Sequence, residues 1–172
     1  RKDPNSGGNL EGITAQTALL GEIQSSLEDA VGMVNRLEMA RKQLGEQRET
    51  AVAAANAGAG GGAASADSLE AALLAVEEQL HQVRATGRGQ DGVRWPVKLA
   101  GQLVYLSQGV GGSDEGPTAQ AREAYRFLAD QVVKTRADFD RVMRMFEAWN
   151  TARQNRPRPI PDPAPYGPSR QR

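Results

Sequence analysis

The sequence predicts an all-α fold, an antiparallel helical bundle of three long helices and one short helix with an extended Pro-rich C-terminal tail. Three observations carry this prediction. Apolar residues recur at steps of three and four over most of the chain, no segment alternates apolar and polar residues with the period of a strand, and Gly or Pro clusters punctuate the helical stretches. The 172 residues suffice for one domain with a modest core. Residues 1–8 are expected to be an N-terminal extended segment, 9–154 the bundle with an Ala/Gly-rich linker at 51–66, and 155–172 the tail.

The first helix is predicted from Asn9 to about Glu49. Ile13, Leu20, Leu27 and Val34 form one row, and Ile23, Ala30, Leu37 and Leu44 form the row beside it, a coiled-coil-like seam that polar Gln16 and Arg41 weaken at its ends. Gly21, Gly32 and Gly45 each cost about 1 kcal/mol relative to Ala inside a helix, so packing must sustain it. The alanines after Ala51 prolong the helical propensity, and Gly58 to Gly62 break it. Asp67 with Glu70 three residues on reads as a capping box opening the second helix. Leu69, Leu73, Val76, Leu80 and Val83 supply its inner face, and it is expected to end near Arg84.

A polar turn at Gly89–Arg94 leads to Trp95-Pro96. Proline at a first helical position fits a short third helix from Pro96 to about Gln108, with Leu99, Leu103, Leu106 and Val110 inward and the glycines from Gly109 to Gly112 as its stop. Pro117 then opens the last helix. Its rows, Ala121, Leu128, Thr135, Val142, Trp149 and Tyr125, Val132, Phe139, Phe146, keep a strict seven-residue repeat. Six of the nine prolines fall after Arg156, so the tail reads as polyproline II.

Composition excludes several chemistries. The chain has no Cys and one His, which removes disulfides, thiolate nucleophiles and zinc sites built on several imidazoles. Twenty-one Lys+Arg balance 21 Asp+Glu, so no general basic surface for nucleic acid exists. The longest apolar runs are far below the ~20 residues a transmembrane helix needs. Neutrality nevertheless hides an uneven layout. Residues 10–50 hold seven acids and four bases, net −3, whereas the tail carries Arg156, Arg158, Arg170 and Arg172 against Asp162, net +3. A basic arm on an acidic helix face, its own or a partner's, follows from that layout.

The motifs that suggest chemistry each have a simpler reading. Gly58-Ala59-Gly60-Gly61-Gly62-Ala63 matches the loose dinucleotide pattern, yet no strand precedes it, so it reads as linker. His81 has Glu77 and Glu78 at helical spacing, but a single helix does not supply a general acid or base with both substrate and orienting partner; a solvated or helix-capping histidine is the reading adopted. The pairs Glu28-Asp29, Glu77-Glu78 and Asp114-Glu115 read as solvated or capping residues rather than a glycosidase pair. Tyr125, Phe139, Phe146 and Trp149 follow core spacing. Trp95, at a loop-to-helix junction, either packs under the bundle or anchors a partner, and Tyr166 in the tail is an interface candidate. No catalytic, cofactor-binding or metal-binding residue is assigned. The candidate interface is Trp95, Arg156, Arg158, Tyr166 and Arg170.

Arg1-Lys2-Asp3-Pro4, Val34-Asn35-Arg36-Leu37, Trp95-Pro96-Val97-Lys98-Leu99 with Leu103, and Pro117-Thr118 together resemble the C-terminal region of bacterial sortilin-like, BNR-repeat β-propeller proteins, over about residues 1–154. In that family a Lys-Asp-Pro sequence follows a β-sandwich-like segment after the propeller, and a helical bundle closes the chain. The Ala/Gly connector and the Arg/Pro tail depart from the shared pattern, and the propeller behind the family's "glycosyl hydrolase" label lies outside this sequence, so no catalytic residue carries over. The resemblance implies an exported bacterial protein, periplasmic or extracellular. An N-terminus without Met or an apolar leader fits a processed product or a portion of a longer protein.

These readings lead to an expected non-enzymatic interaction subunit that docks on protein subunits of a larger assembly, without nucleic acid or cofactor. A membrane energy-converting complex, photosynthetic or respiratory, with peripheral association, is an example of such a setting. The alternatives are an accessory domain of a glycan-acting hydrolase whose active site lies in the absent propeller, and a self-associating coiled-coil module resting on the regular last helix.

Overall fold

A computed structural model describes residues 7–56, 63–85 and 91–153. They form five helical segments: α1 (Leu10–Asn56), α2 (Ala63–Leu80), the single turn α3 (Asp91–Arg94), α4 (Leu99–Gly111) and α5 (Ala119–Arg153). The all-α bundle expected from the sequence is present.

The side-chain contacts fix its topology. Arg48 of α1 pairs with Asp67 and Glu70 at the start of α2, and Arg41 pairs with Glu77 near its end, so α2 runs antiparallel to the C-terminal half of α1. Gln16 of α1 meets Val110 and Ser113, which sets α4 antiparallel to the N-terminal half. Tyr125 bonds to Glu22, Arg136 pairs with Asp29, and Gln47 bonds to Asn150, so α5 runs parallel to α1. The molecule is thus an up–down–up bundle whose middle arm is made of α2 and α4 in tandem. Their 18 and 13 residues span ~27 and ~20 Å, close to the ~52 Å of the 35-residue α5.

One core runs the length of the bundle. Ile23, Ala30, Leu37 and Leu44 of α1 are fully buried, and they meet Leu69, Leu73, Val76 and Leu80 of α2, Leu99, Leu103 and Val110 of α4, and Leu128, Val132, Phe139, Val142 and Phe146 of α5. The companion row on α1 is not the expected one. Leu19, Met33 and Ala40 are buried, with half-buried Ser26 in the same seven-residue register, while Leu20, Leu27 and Val34 lie on its flank. Ser26 and Ala40 make that row look weaker in sequence than the leucine row beside it.

Several boundaries also differ. α1 continues to Asn56 and α2 already begins at Ala63, because alanine is the strongest helix former; of the 51–66 linker only 57–62 falls between helices, outside the described residues. Asp67 is consequently the fifth residue of α2 and not its cap, and its carboxylate lies 3.0 Å from Arg48. α2 stops at Leu80, closed by the His81 amide bond to the Glu77 carbonyl, so Val83 is only half-buried. The polar turn at 89–94 holds the extra helical turn α3. α4 begins three residues after Pro96, at Leu99, with Lys98 extended before it, and it runs through Gly109 to Gly111. Pro117 likewise precedes α5 by two residues, and Thr118 is its cap, accepting the Ala121 amide at 3.1 Å. The α5 rows turn inward as predicted.

Candidate functional site: the interrupted middle arm

The chain between α2 and α4 carries the accessible chemistry of the middle arm. Arg84 bonds through Nε and Nη2 to the Glu78 carboxylate at 3.3 and 3.2 Å, and its guanidinium lies 5.3 Å from the Trp95 ring centre. Gln82 accepts the Arg84 amide and donates to the Pro96 carbonyl at 3.2 Å, tying the two sides of the break together. Gln102 holds the Val97 carbonyl at 3.2 Å, and the Val97 side chain fills the space where a Cβ on Gly101 would stand.

Those bonds fix the backbone and leave apolar surface outward. Val93 is 82% exposed and Val97 37%, with half-buried Trp95 between them. Exposed Arg94 and half-buried Lys98 flank the three. Trp95 therefore packs on Arg84 rather than under the bundle, and keeps an accessible part. The other expected interface residues, Arg156, Arg158, Tyr166 and Arg170, lie outside the described residues.

A second cluster abuts the start of the break. Glu77 Oε2 receives Arg41 Nη1 at 2.7 Å, and the Glu77 side chain retains 4% exposure. Its other oxygen, Oε1, faces His81 Nε2 at 4.0 Å. Glu38 reaches in from α1, so one coordinating atom from each of Glu38, Glu77 and His81 lies within 4.8 Å of the others. Glu77 is thus a buried, paired carboxylate instead of the solvated one its sequence neighbourhood implied. The i,i+4 spacing of Glu77 and His81 was the visible signal; the contribution of Glu38, from 39 positions earlier, was not. In the pair Glu28-Asp29 each carboxylate has its own partner: Asp29 pairs with Arg136 at 2.8 Å, and Glu28 accepts a bond from Gln24.

A groove of about 260 Å³ lies between the N-terminal parts of α1 and α5, lined by Ala15, Ala18, Leu19, Glu22, Arg122, Tyr125 and Arg126. The Tyr125 hydroxyl donates to the Glu22 carbonyl at 3.1 Å and lies 3.2 Å from Ser26 Oγ, so the ring is a structural wall. Deeper along α5 the aromatic row is core. Phe146 stacks on Trp149 with ring centres 6.3 Å apart, and Arg36 and Arg136 both lie over Phe139.

Among the described residues no helix is long and apolar enough to cross a membrane. No protein-family model, curated protein or solved structure matches the chain.

Proposed function

We propose that this chain is a non-catalytic interaction module that docks on protein subunits of a larger assembly through the break in its middle arm. One observation carries the reading: Val93, Trp95 and Val97 remain accessible within five residues on a segment whose backbone is tied to Gln82, just past the end of α2, and to Gln102 of α4. A pre-ordered apolar patch loses little conformational entropy on binding, and a tryptophan with an apolar surround is the usual composition of an energetic anchor. Arg94 and Lys98 at its edge select a partner surface with acidic groups around an apolar centre. The basic tail is assigned the auxiliary role of a second, salt-sensitive contact.

The row on α5 that resembles a coiled-coil seam is buried within the chain, which favours docking by the break over self-association through α5. The likeness to the closing helical region of exported propeller proteins supports placing the module in the periplasm or outside the cell, at the end of a longer protein. An upstream coding sequence with Asp-box repeats is what that placement requires.

The test is affinity isolation of the full chain from its native cells. Val93→Ser with Trp95→Ser is expected to reduce the recovered partner by about tenfold or more, the equivalent of ~1.4 kcal/mol, at unchanged helicity. Removal of residues 156–172 is expected to weaken association mainly at low salt, where the tail's charges are least screened. Undiminished recovery from both variants contradicts the proposal.

A further inference from the structure

We propose that Glu38, Glu77 and His81 form a binding site for a divalent transition-metal ion, zinc foremost. The lack of further histidines excludes sites of several imidazoles but leaves a site of one imidazole and two carboxylates, a donor set that zinc accepts. Glu77 and His81 stand one turn apart at the end of α2, and Glu38 projects from α1.

The geometry fits coordination better than hydrogen bonding. The 4.0 Å between Glu77 Oε1 and His81 Nε2 exceeds a hydrogen bond and is a few tenths of an ångström wider than the roughly 3.4 Å between two tetrahedral donors at about 2.1 Å from one ion, a gap that a small rotation of His81 closes. The outer limit of 4.8 Å for the three donors closes by rotation of Glu38 and His81, which are exposed and half-buried.

A second observation points at the same place. Glu77 is 96% buried, one of its oxygens is held by Arg41 at 2.7 Å, and the other is aimed at His81 without a hydrogen-bond donor. That oxygen stands beyond hydrogen-bond distance of His81 and, as an acceptor with open lone pairs, can take a cation. Arg41 then plays the orienting role that outer-shell groups take around a metal ligand. The site also lies at the C-terminus of an 18-residue helix, where the backbone dipole favours positive charge. A bound ion would clamp α1 to the last turn of α2 at the point where the middle arm breaks.

The experiment uses the full chain without a histidine tag, freed of metal with a chelator and titrated with ZnCl₂ by calorimetry, with CoCl₂ absorption as a second probe. One Zn²⁺ per chain, visible d–d bands with Co²⁺, and a melting temperature raised by ~5–10 °C at one hundred times Kd are expected. His81→Ala and Glu38→Gln remove ligands without touching the Arg41–Glu77 pair. Each is expected to weaken binding about tenfold or more, since even supporting groups around a metal are worth that much. Absence of binding, or equal affinity in His81→Ala, overturns the site. Either result leaves the docking reading independent, because that reading rests on residues 93–97.

Discussion

Removing the Glu77 carboxylate strands the Arg41 guanidinium beside the core, and that cost is measurable. Breaking a fully buried pair costs ~3–5 kcal/mol; with Arg41 still 29% exposed, Glu77→Gln is expected to cost about 2–3 kcal/mol in urea unfolding of the metal-free chain. Gln16 poses the same question at the other end of α1. It is 8% exposed and donates its side-chain amide to the Val110 carbonyl at 2.6 Å and to that of Ser113, satisfying the end of α4. Gln16→Leu adds apolar surface yet leaves those carbonyls without their donor, so a loss of ~1–3 kcal/mol is expected; a gain in stability would show that water replaces it at no cost. In the sequence Gln16 and Arg41 read as the weak ends of a seam. Their partners stand 94 and 36 positions away, a separation that no local periodicity records.

Glycines divide the helices into two classes that sequence reading treats as one. Gly21, Gly32 and Gly45 have open space where a Cβ would stand, so replacing each with Ala is expected to raise stability by ~0.5–1 kcal/mol, visible as a higher urea midpoint. Gly12 is different. A Cβ there would lie 2.9 Å from the Gly116 backbone nitrogen and 3.3 Å from its Cα, where the loop before α5 crosses the first turn of α1. Gly12→Ala must push the loop away and is expected to lower stability by ~1–3 kcal/mol; a rise equal to that at Gly21 would refute the close crossing. Element identity was legible because Leu69, Leu73, Val76 and Leu80 in α2, Leu99 and Leu103 in α4, and Val132, Phe139 and Phe146 in α5 each recur at helical spacing. Boundaries were less so: Pro96 and Pro117 look like helix starts but stand two or three residues before them, and Ala63 begins α2 ahead of the capping pattern at Asp67. Alanine propensity carries the helix start four residues ahead of Asp67, whose carboxylate then pairs with Arg48 of α1 instead of capping.

At the scale of the whole molecule the interruption of the middle arm is the feature on which the docking proposal rests. Two unbroken helices, α1 and α5, run parallel as a frame, and the antiparallel arm between them is divided at residues 81–98. The frame buries the regular rows that the sequence displays most clearly, which is why the fold was legible. The break itself is legible as a helix end near Arg84 followed by a polar turn at Gly89–Arg94, but the end-to-end alignment of α2 and α4 along α1 is a tertiary feature that no local pattern records. Trp95 could be singled out from its junction with Pro96, whereas the exposure of Val93 and Val97 depends on where α4 begins. Site-specific photocrosslinking in native cells tests the docking claim most directly, with a benzophenone amino acid placed at Val93, 82% exposed in the break, or at Leu10, 80% exposed at the start of α1. The account predicts one defined protein adduct from position 93, lost on adding Trp95→Ser, and none from position 10. Adducts from position 10 with none from position 93 would contradict it.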